Sequence, residues 1–357
     1  MSDTDAHGNG EVTGHDLIVI GAGPAGLACA IQAEAAGLDY VLLEKGCLVN
    51  SIFHFPRNMV FFSSPERLEL ARMPFATLAR KPSRAETVEY YRRVAERFAV
   101  RVRQYERVVA LERDESGGAE GFVVTSVRGS RSRRSAARAV VVATGFFDWP
   151  RRLGVPGEEL PKVVHRFDEG HPYYDRAVAV IGGRSAAAEA ALELQRAGAH
   201  VTLIHRGERM QTKYWVLPEL ENRIARGEIG WLPSATVERI DDDSITVRQD
   251  GRSQQIANDA VIVQIGYRPD LSLLEGVGVT LEGPDRTPRY DPDTCQTDVP
   301  GVFVCGSVCA GDRAGSIFIE TARFDGEKIV GALTAPATRG AQPAGSQGSS
   351  TGSSGSS

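Results

Sequence analysis

The chain has 357 residues, 42% of them hydrophobic and 24% charged, with a formal net charge of -5; this suits a globular protein of two ordinary-sized domains and argues against a basic nucleic-acid binder. No uninterrupted apolar run approaches the roughly 20 residues needed to cross a bilayer. The first residues, MSDTDAHGNGEVTG, lack the basic and apolar regions of a signal peptide, so a cytoplasmic location is expected. The five cysteines, Cys29, Cys47, Cys295, Cys305 and Cys309, form no CxxC pair, so free thiols and no metal site are expected.

In chain order, a polar tail over 1–14 leads into HDLIVIGAGPAGLACAIQAEAAG, from His15 to Gly37, and then DYVLLEKG. The pattern is strand, glycine turn, helix, strand: a βαβ unit. Gly21, Gly23 and Gly26 hold the three fingerprint positions of a dinucleotide turn, and Glu44 ends the second strand, where a carboxylate accepts hydrogen bonds from ribose hydroxyls. The arginine-rich stretch Arg128–Arg138 reads as a solvated hairpin turn between strands near Phe122–Val127 and Ala139–Ala143. Val140–Pro150, VVVATGFFDWP, reads as a buried strand ending in Ala143-Thr144-Gly145, where the chain leaves one domain.

A second unit follows: AVAVIGGRSAAAEAALELQRAGAHVTLIHRG. It aligns with the first without gaps, since Gly21 to Glu44 and Gly182 to His205 both span 23 positions. Two dinucleotide sites are therefore expected. The second turn carries Gly182, Arg184 and Ala187 at the fingerprint positions, so a side chain stands where backbone ordinarily approaches phosphate. In place of an acidic ribose partner it has His205 with Arg206 beside it, a pairing suited to a 2′-phosphate and hence to NADPH. Gln264–Asp270, QIGYRPD, marks the return crossing, and Thr297–Leu333 reads as a strand, a glycine turn at Gly306-Ser307 and a closing helix. Glu44 suits FAD or NAD, and the Val140–Pro150 and Thr297–Leu333 segments together complete a flavoprotein pattern; the expected fold is therefore α/β, two Rossmann-like three-layer domains, with 151–267 binding NADPH and inserted into an FAD-binding domain made of 15–150 and 268–335. A Gly/Ser tail over 336–357 is expected to stay unfolded.

The GAGPAG turn, the ATG segment, the TxxPGVF segment and the inserted second unit resemble the thioredoxin-reductase-like flavoproteins. More narrowly, Glu44–Leu70, Leu153–Gly183, His205–Glu219 and Ile317–Gly326 resemble the bacillithiol disulfide reductase family. The likeness runs from about Asp16 to Leu333. It implies FAD on Gly21, Gly23, Pro24, Ala25, Glu44, Lys45, Val109, Thr144, Gly145, Gly306, Ser307 and the helix start near Ile319, whose partial positive charge would favour reduced flavin. It implies NADPH on Gly182, Gly183, Ser185, Ala186, His205, Arg206 and Lys213. A homodimer and a small-molecule disulfide substrate are implied too, with no membrane or nucleic-acid partner.

The chain departs from the family at three places: there is no CxxC, Ala25 stands where members often carry a cysteine, and Ser307 stands where many related flavoproteins carry Asp. No catalytic side chain is therefore assigned. Cys29, one helical turn from Ala25, reads as a packed small hydrophobe. Two other outcomes stay open: an NADPH reductase serving ferredoxin, another redox carrier protein or a quinone, and a redox sensor that binds both nucleotides without turnover. A flavin monooxygenase is less favoured, because FxGxxxH is absent around His165.

Overall fold

The computed structural model describes residues 13–114 and 121–335. The expected tails fall outside the described residues, apart from Thr13 and Gly14, which open the first strand.

The two βαβ units lie in separate sheets. The first sheet has seven strands, six of them in the order Val102–Gln104, Tyr40–Glu44, Thr13–Ile20, Arg131–Val142, Phe122–Arg128, Arg107–Arg113; the seventh, Val302–Val304, also pairs with Arg131–Val142. The long strand Arg131–Val142 runs parallel to Thr13–Ile20 along one edge. Its other edge pairs first with the antiparallel Phe122–Arg128 and then, from Val140, with the parallel Val302–Val304. The second sheet is wholly parallel, in the order Ile229–Leu232, His200–Ile204, Ala177–Ile181, Ala260–Val263, Val163–Val164. A three-stranded antiparallel ribbon, Ala235–Ile240, Ser244–Gln249 and Arg252–Ala257, accompanies it.

The parallel strands read as continuous apolar runs because both faces are covered. Leu17 and Val19 point into one core with helices Pro24–Ala35, Arg84–Arg97 and Asp325–Thr334; Ile18 and Ile20 point into another, beneath the antiparallel strands. The helix Pro24–Ala35 is buried on most sides, and Gly326 lets Asp325–Thr334 approach it so closely that a Cβ there would lie 2.7 Å from the Ala28 and Cys29 backbone. Arg84–Arg97 starts with a complete capping box between Ser83 and Glu86. The chain leaves the first sheet after Val142 and returns to it at Val302; Trp149–Pro150 and Tyr267–Arg268 pair antiparallel on the outward and return paths.

Two elements differ from the sequence expectation. The arginine-rich stretch is mostly strand, with the turn confined to Gly129-Ser130, because Ser135 and Ala137 are small enough to carry the strand into the core while Arg131–Arg134 stay exposed. The closing helix is broken into Ile319–Ala322 and Asp325–Thr334, and a 3-10 segment kinked at Gly311 precedes them.

Phe303, 1% exposed in the seventh strand, packs into the core beside that central helix. Phe303→Ala is expected to cost about 3–5 kcal/mol of unfolding free energy by denaturant titration, and a loss below about 1 kcal/mol would contradict this packing.

Candidate functional site: two dinucleotide cradles

At the carboxyl end of the first sheet the backbone turns sharply. Gly21 has φ +108°, and a Cβ there would lie 2.5 Å from the Ala143 carbonyl oxygen. A Cβ on Gly26 would meet the Gly21 carbonyl oxygen at 1.9 Å, so the helix packs on the turn only without a side chain. Gly23 caps the helix in an extended conformation with no side-chain hydrogen bond, and Pro24 occupies the first turn. Its leading N–H groups are thus left for an anion.

Glu44 is 5% exposed; its carboxylate accepts from the Ala22 N–H at 2.8 Å and the Gly46 N–H at 2.9 Å, while burial pushes its pKa up. Thr144 follows the end of the adjacent strand, and its buried Oγ1 has no hydrogen-bond partner among the described residues. Gly145 adopts φ +71°, and a Cβ on it would be 3.7 Å from Ser307 Oγ. Gly306 adopts φ +73°, with space for a Cβ only 3.0 Å from that of Ala25. Residues 21–26, 143–145 and 306–307 are thereby drawn together.

Other expected contacts are exposed, already engaged or weak. Lys45 is ion-paired with Asp148. Val109 is half-exposed at a bulge in Arg107–Arg113. Ile319 does begin a helix, but one of four residues with Glu320 in its first turn, so the dipole available there is slight.

The second cradle repeats the first. Gly182 has φ +155°, and a Cβ there would lie 2.4 Å from the Gln264 carbonyl oxygen. Arg184 caps helix Ser185–Arg196 in an extended conformation without a side-chain cap and points into solvent. The His205 ring covers Gly183, where a Cβ would meet it at 2.0 Å, and stacks on Trp231 with centroids 6.3 Å apart. Burial and the neighbouring Arg206 hold its pKa down, favouring the neutral ring. Arg206 is exposed and, among the described residues, has no ion pair. Ser185 Oγ lies 3.2 Å from Thr212 Oγ1, and Ala186 is exposed in the first helical turn. Lys213 is paired with Glu189 at 2.9 Å and sits 5.0 Å from the Phe62 ring centroid, so its charge is already engaged.

Sequence reasoning missed Asp325. Its carboxylate accepts the Gly306 N–H at 3.0 Å and is pushed up in pKa by burial. Nothing in the sequence distinguished it from an ordinary acid in a helix's first turn. His165 serves structure: buried Glu158 holds its ring at 2.8 Å, and its carbonyl accepts from Gln264 and Tyr267. No group of residues suited to a metal ion occurs among the described residues.

The uncapped helix start, the side-chain-free glycine cradle and the unpartnered Thr144 hydroxyl could hold the phosphates and ribityl chain of a dinucleotide flavin, and the Glu44 carboxylate could serve its ribose. The second cradle and unpaired Arg206 fit a phosphorylated pyridine dinucleotide. Such a pair defines an oxidoreductase that couples two nucleotide cofactors across two Rossmann-like folds. Residues 18–306 match the pyridine nucleotide-disulphide oxidoreductase family, and the chain belongs to it. It is 39% identical over 315 residues to bacilliredoxin reductase Bdr of Bacillus subtilis, covering 87% of this chain and 95% of that protein. The solved bacillithiol disulfide reductase Bdr of Bacillus cereus superposes with a TM-score of 0.87 at 40% identity, covering 90% of this chain and 99% of that one. Thioredoxin reductase of Lactococcus lactis shares the fold, with a TM-score of 0.70 at 22% identity over 89% of this chain and 97% of that one. FAD and NADPH are the cofactors of this enzyme class.

The thiols are poorly placed to react. Cys29 is fully buried, and burial pushes its pKa up to about 12; Cys295 is likewise pushed up to about 12. Cys305 and Cys309 are buried and raised well above the ordinary thiol range. In the native protein at pH 8, iodoacetamide is expected to label only half-buried Cys47, read by peptide mass spectrometry. Labelling of Cys29 as fast as Cys47 would contradict this burial.

Proposed function

We propose that the chain reduces a low-molecular-weight disulfide, bacillithiol disulfide, with NADPH as donor and FAD as intermediary. The observation that carries this reading is the 39–40% identity over nearly the full chain to relatives named for bacilliredoxin and bacillithiol disulfide reduction. Residues 15–150 and 268–335 form the FAD-binding domain, and 151–267 the inserted NADPH-binding domain; the Trp149–Pro150 and Tyr267–Arg268 ribbon supports those crossings. The protein acts in the cytoplasm as a homodimer. Among the described residues no helix is long and apolar enough to cross a membrane.

Bound FAD supplies a two-electron carrier between the nicotinamide and the disulfide. Each turnover consumes one NADPH, one disulfide and one proton, and yields NADP⁺ and two thiols. The protein's part is positional. The Gly21–Gly26 turn and its helix start hold the flavin pyrophosphate, Glu44 its ribose, and Thr144, Gly145, Gly306 and Ser307 the chain leading to the ring. Asp325 fixes the Gly306 N–H and with it that turn. Gly182, Gly183, Ser185 and Ala186 hold the NADPH pyrophosphate, with Arg206 on its 2′-phosphate. With Ala25 in the turn and Cys29 sealed in the core, the disulfide takes its electrons without a protein thiol relay.

Turnover with bacillithiol disulfide, measured as NADPH oxidation, tests the assignment. Turnover confined to ferredoxin or quinones, or flavin bleaching with no acceptor turnover, would overturn it. Arg206→Ala should raise the KM for NADPH about ten- to a hundred-fold, for a lost charge-assisted bond worth about 1.5–3 kcal/mol, while the KM for NADH barely moves. Equal effects on both cofactors would sink the 2′-phosphate role. Cys29→Ala should keep both NADPH-driven flavin reduction and acceptor turnover within a few-fold. A variant that is reduced by NADPH yet cannot pass electrons on would make Cys29 a relay.

A further inference from the structure

A cleft of about 750 Å³ opens beside Ile319, with Phe318 and Glu320 on its wall. Its size is that of a small-molecule site. Opposite lie Phe62, Ser63, Arg67, Arg80 and Lys81. The Phe62 and Phe318 rings meet edge to face, their centroids 5.3 Å apart, and Phe318 remains 46% exposed. A half-exposed aromatic pair beside charged groups presents an apolar floor with a polar rim, which a small amphipathic ligand would cover.

The charges on the cleft do not cancel. Glu320 is the one acid on the cleft wall, and it is already held: Ser63 Oγ donates to it at 2.5 Å and Arg67 Nη1 at 2.8 Å. Those contacts, the Ser63 hydrogen bond foremost, keep its pKa below the usual carboxylate range, so it stays ionised and paired with Arg67. Arg80 is exposed and forms no ion pair among the described residues. Lys81 faces a ring: its ammonium lies 4.3 Å from the centroid of Trp215, which belongs to the segment after the second cradle. The nearby cation Lys213 is taken by Glu189. Arg80 and Lys81 therefore line the cleft with no carboxylate partner among the described residues.

We propose that this cleft is the acceptor pocket, and that Arg80 and Lys81 select disulfides that carry carboxylates. The proposal rests on the disulfide-reductase reading above. The sulfur-bearing middle of such a substrate lies on Phe62 and Phe318, next to Ile319 where the flavin is expected, and its terminal carboxylates reach the two cations. Arg80 supplies a fork that matches a carboxylate, and Lys81 a point charge.

The test uses the FAD-loaded enzyme and an R80S/K81S variant, checked for wild-type FAD content and circular dichroism. Binding of bacillithiol disulfide, neutral 2-hydroxyethyl disulfide and NADP⁺ is measured by titration calorimetry, and KM and kcat in parallel. The expected result is at least a tenfold loss of affinity for bacillithiol disulfide, with a matching rise in KM, while affinities for the neutral disulfide and NADP⁺ stay within twofold. Undiminished binding of bacillithiol disulfide by the variant would overturn the pocket while leaving the reductase reading intact. An equal loss for NADP⁺ would overturn it too, by making the cleft the nicotinamide's seat. A wild-type enzyme that neither binds nor reduces bacillithiol disulfide would instead fail the reductase reading, and the pocket with it.

Discussion

Backbone packed directly on backbone, at Gly21 against Ala143, is the contact on which both the fold and the first cradle depend. There is no room for a Cβ between the two chains, so the first strand and the long strand beside it end at the same height. The amide ladder continues across that point: the Ala143 N–H donates to the Ile20 carbonyl at 2.8 Å and the Gly21 N–H to Leu43 at 2.8 Å. The second sheet repeats it, with Gln264 N–H to Ile181 at 2.7 Å and Gly182 N–H to Ile204 at 3.0 Å. A duplication visible as matching spacing is thus also a duplication of individual hydrogen bonds.

Acids buried or half-buried near the first cradle fix loops. Glu44 and Asp325 each hold a backbone N–H of a glycine, Gly46 and Gly306, whose position the cradle requires. A buried carboxylate is costly unless hydrogen-bonded, so once it has such partners it resists displacement. The cations behave differently. Arg206 and Arg80 stand in solvent with no ion-pair partner among the described residues, where keeping a charge ready costs little. The thiols follow the same logic in reverse, since burial deprives Cys29, Cys295 and Cys305 of the thiolate form that redox exchange needs.

The two halves meet through small, separate contacts. Phe147 stacks on Tyr267 with centroids 4.4 Å apart, beside the crossing ribbon. Arg57 pairs with Asp168 at 3.2 Å, Asn58 donates to Glu193 at 2.9 Å, and Lys81 sits on Trp215. Contacts of this polar, patchy kind resemble transient interfaces between proteins more than a domain core. The cleft lined by Phe62 and Phe318 is walled by the first half, yet its cation Lys81 is steadied by an aromatic ring of the second.

The sequence alone determined the two βαβ units, their equivalence and the glycine geometry of each turn, because glycine spacing is a local demand that few residue types satisfy. Tertiary structure decided what depends on partners distant in the chain. Lys213, read as a phosphate-side cation, is neutralised by Glu189, 24 positions away. Arg131–Arg134 became strand because Phe122–Arg128 pairs with them, although their own composition suggests a solvated turn. Asp325 gained its role only where the helix that carries it packs on Pro24–Ala35 and brings its carboxylate to Gly306. Local backbone geometry is written in consecutive residues, whereas the pairing of a charge is settled by whichever group the folded chain sets within hydrogen-bond distance.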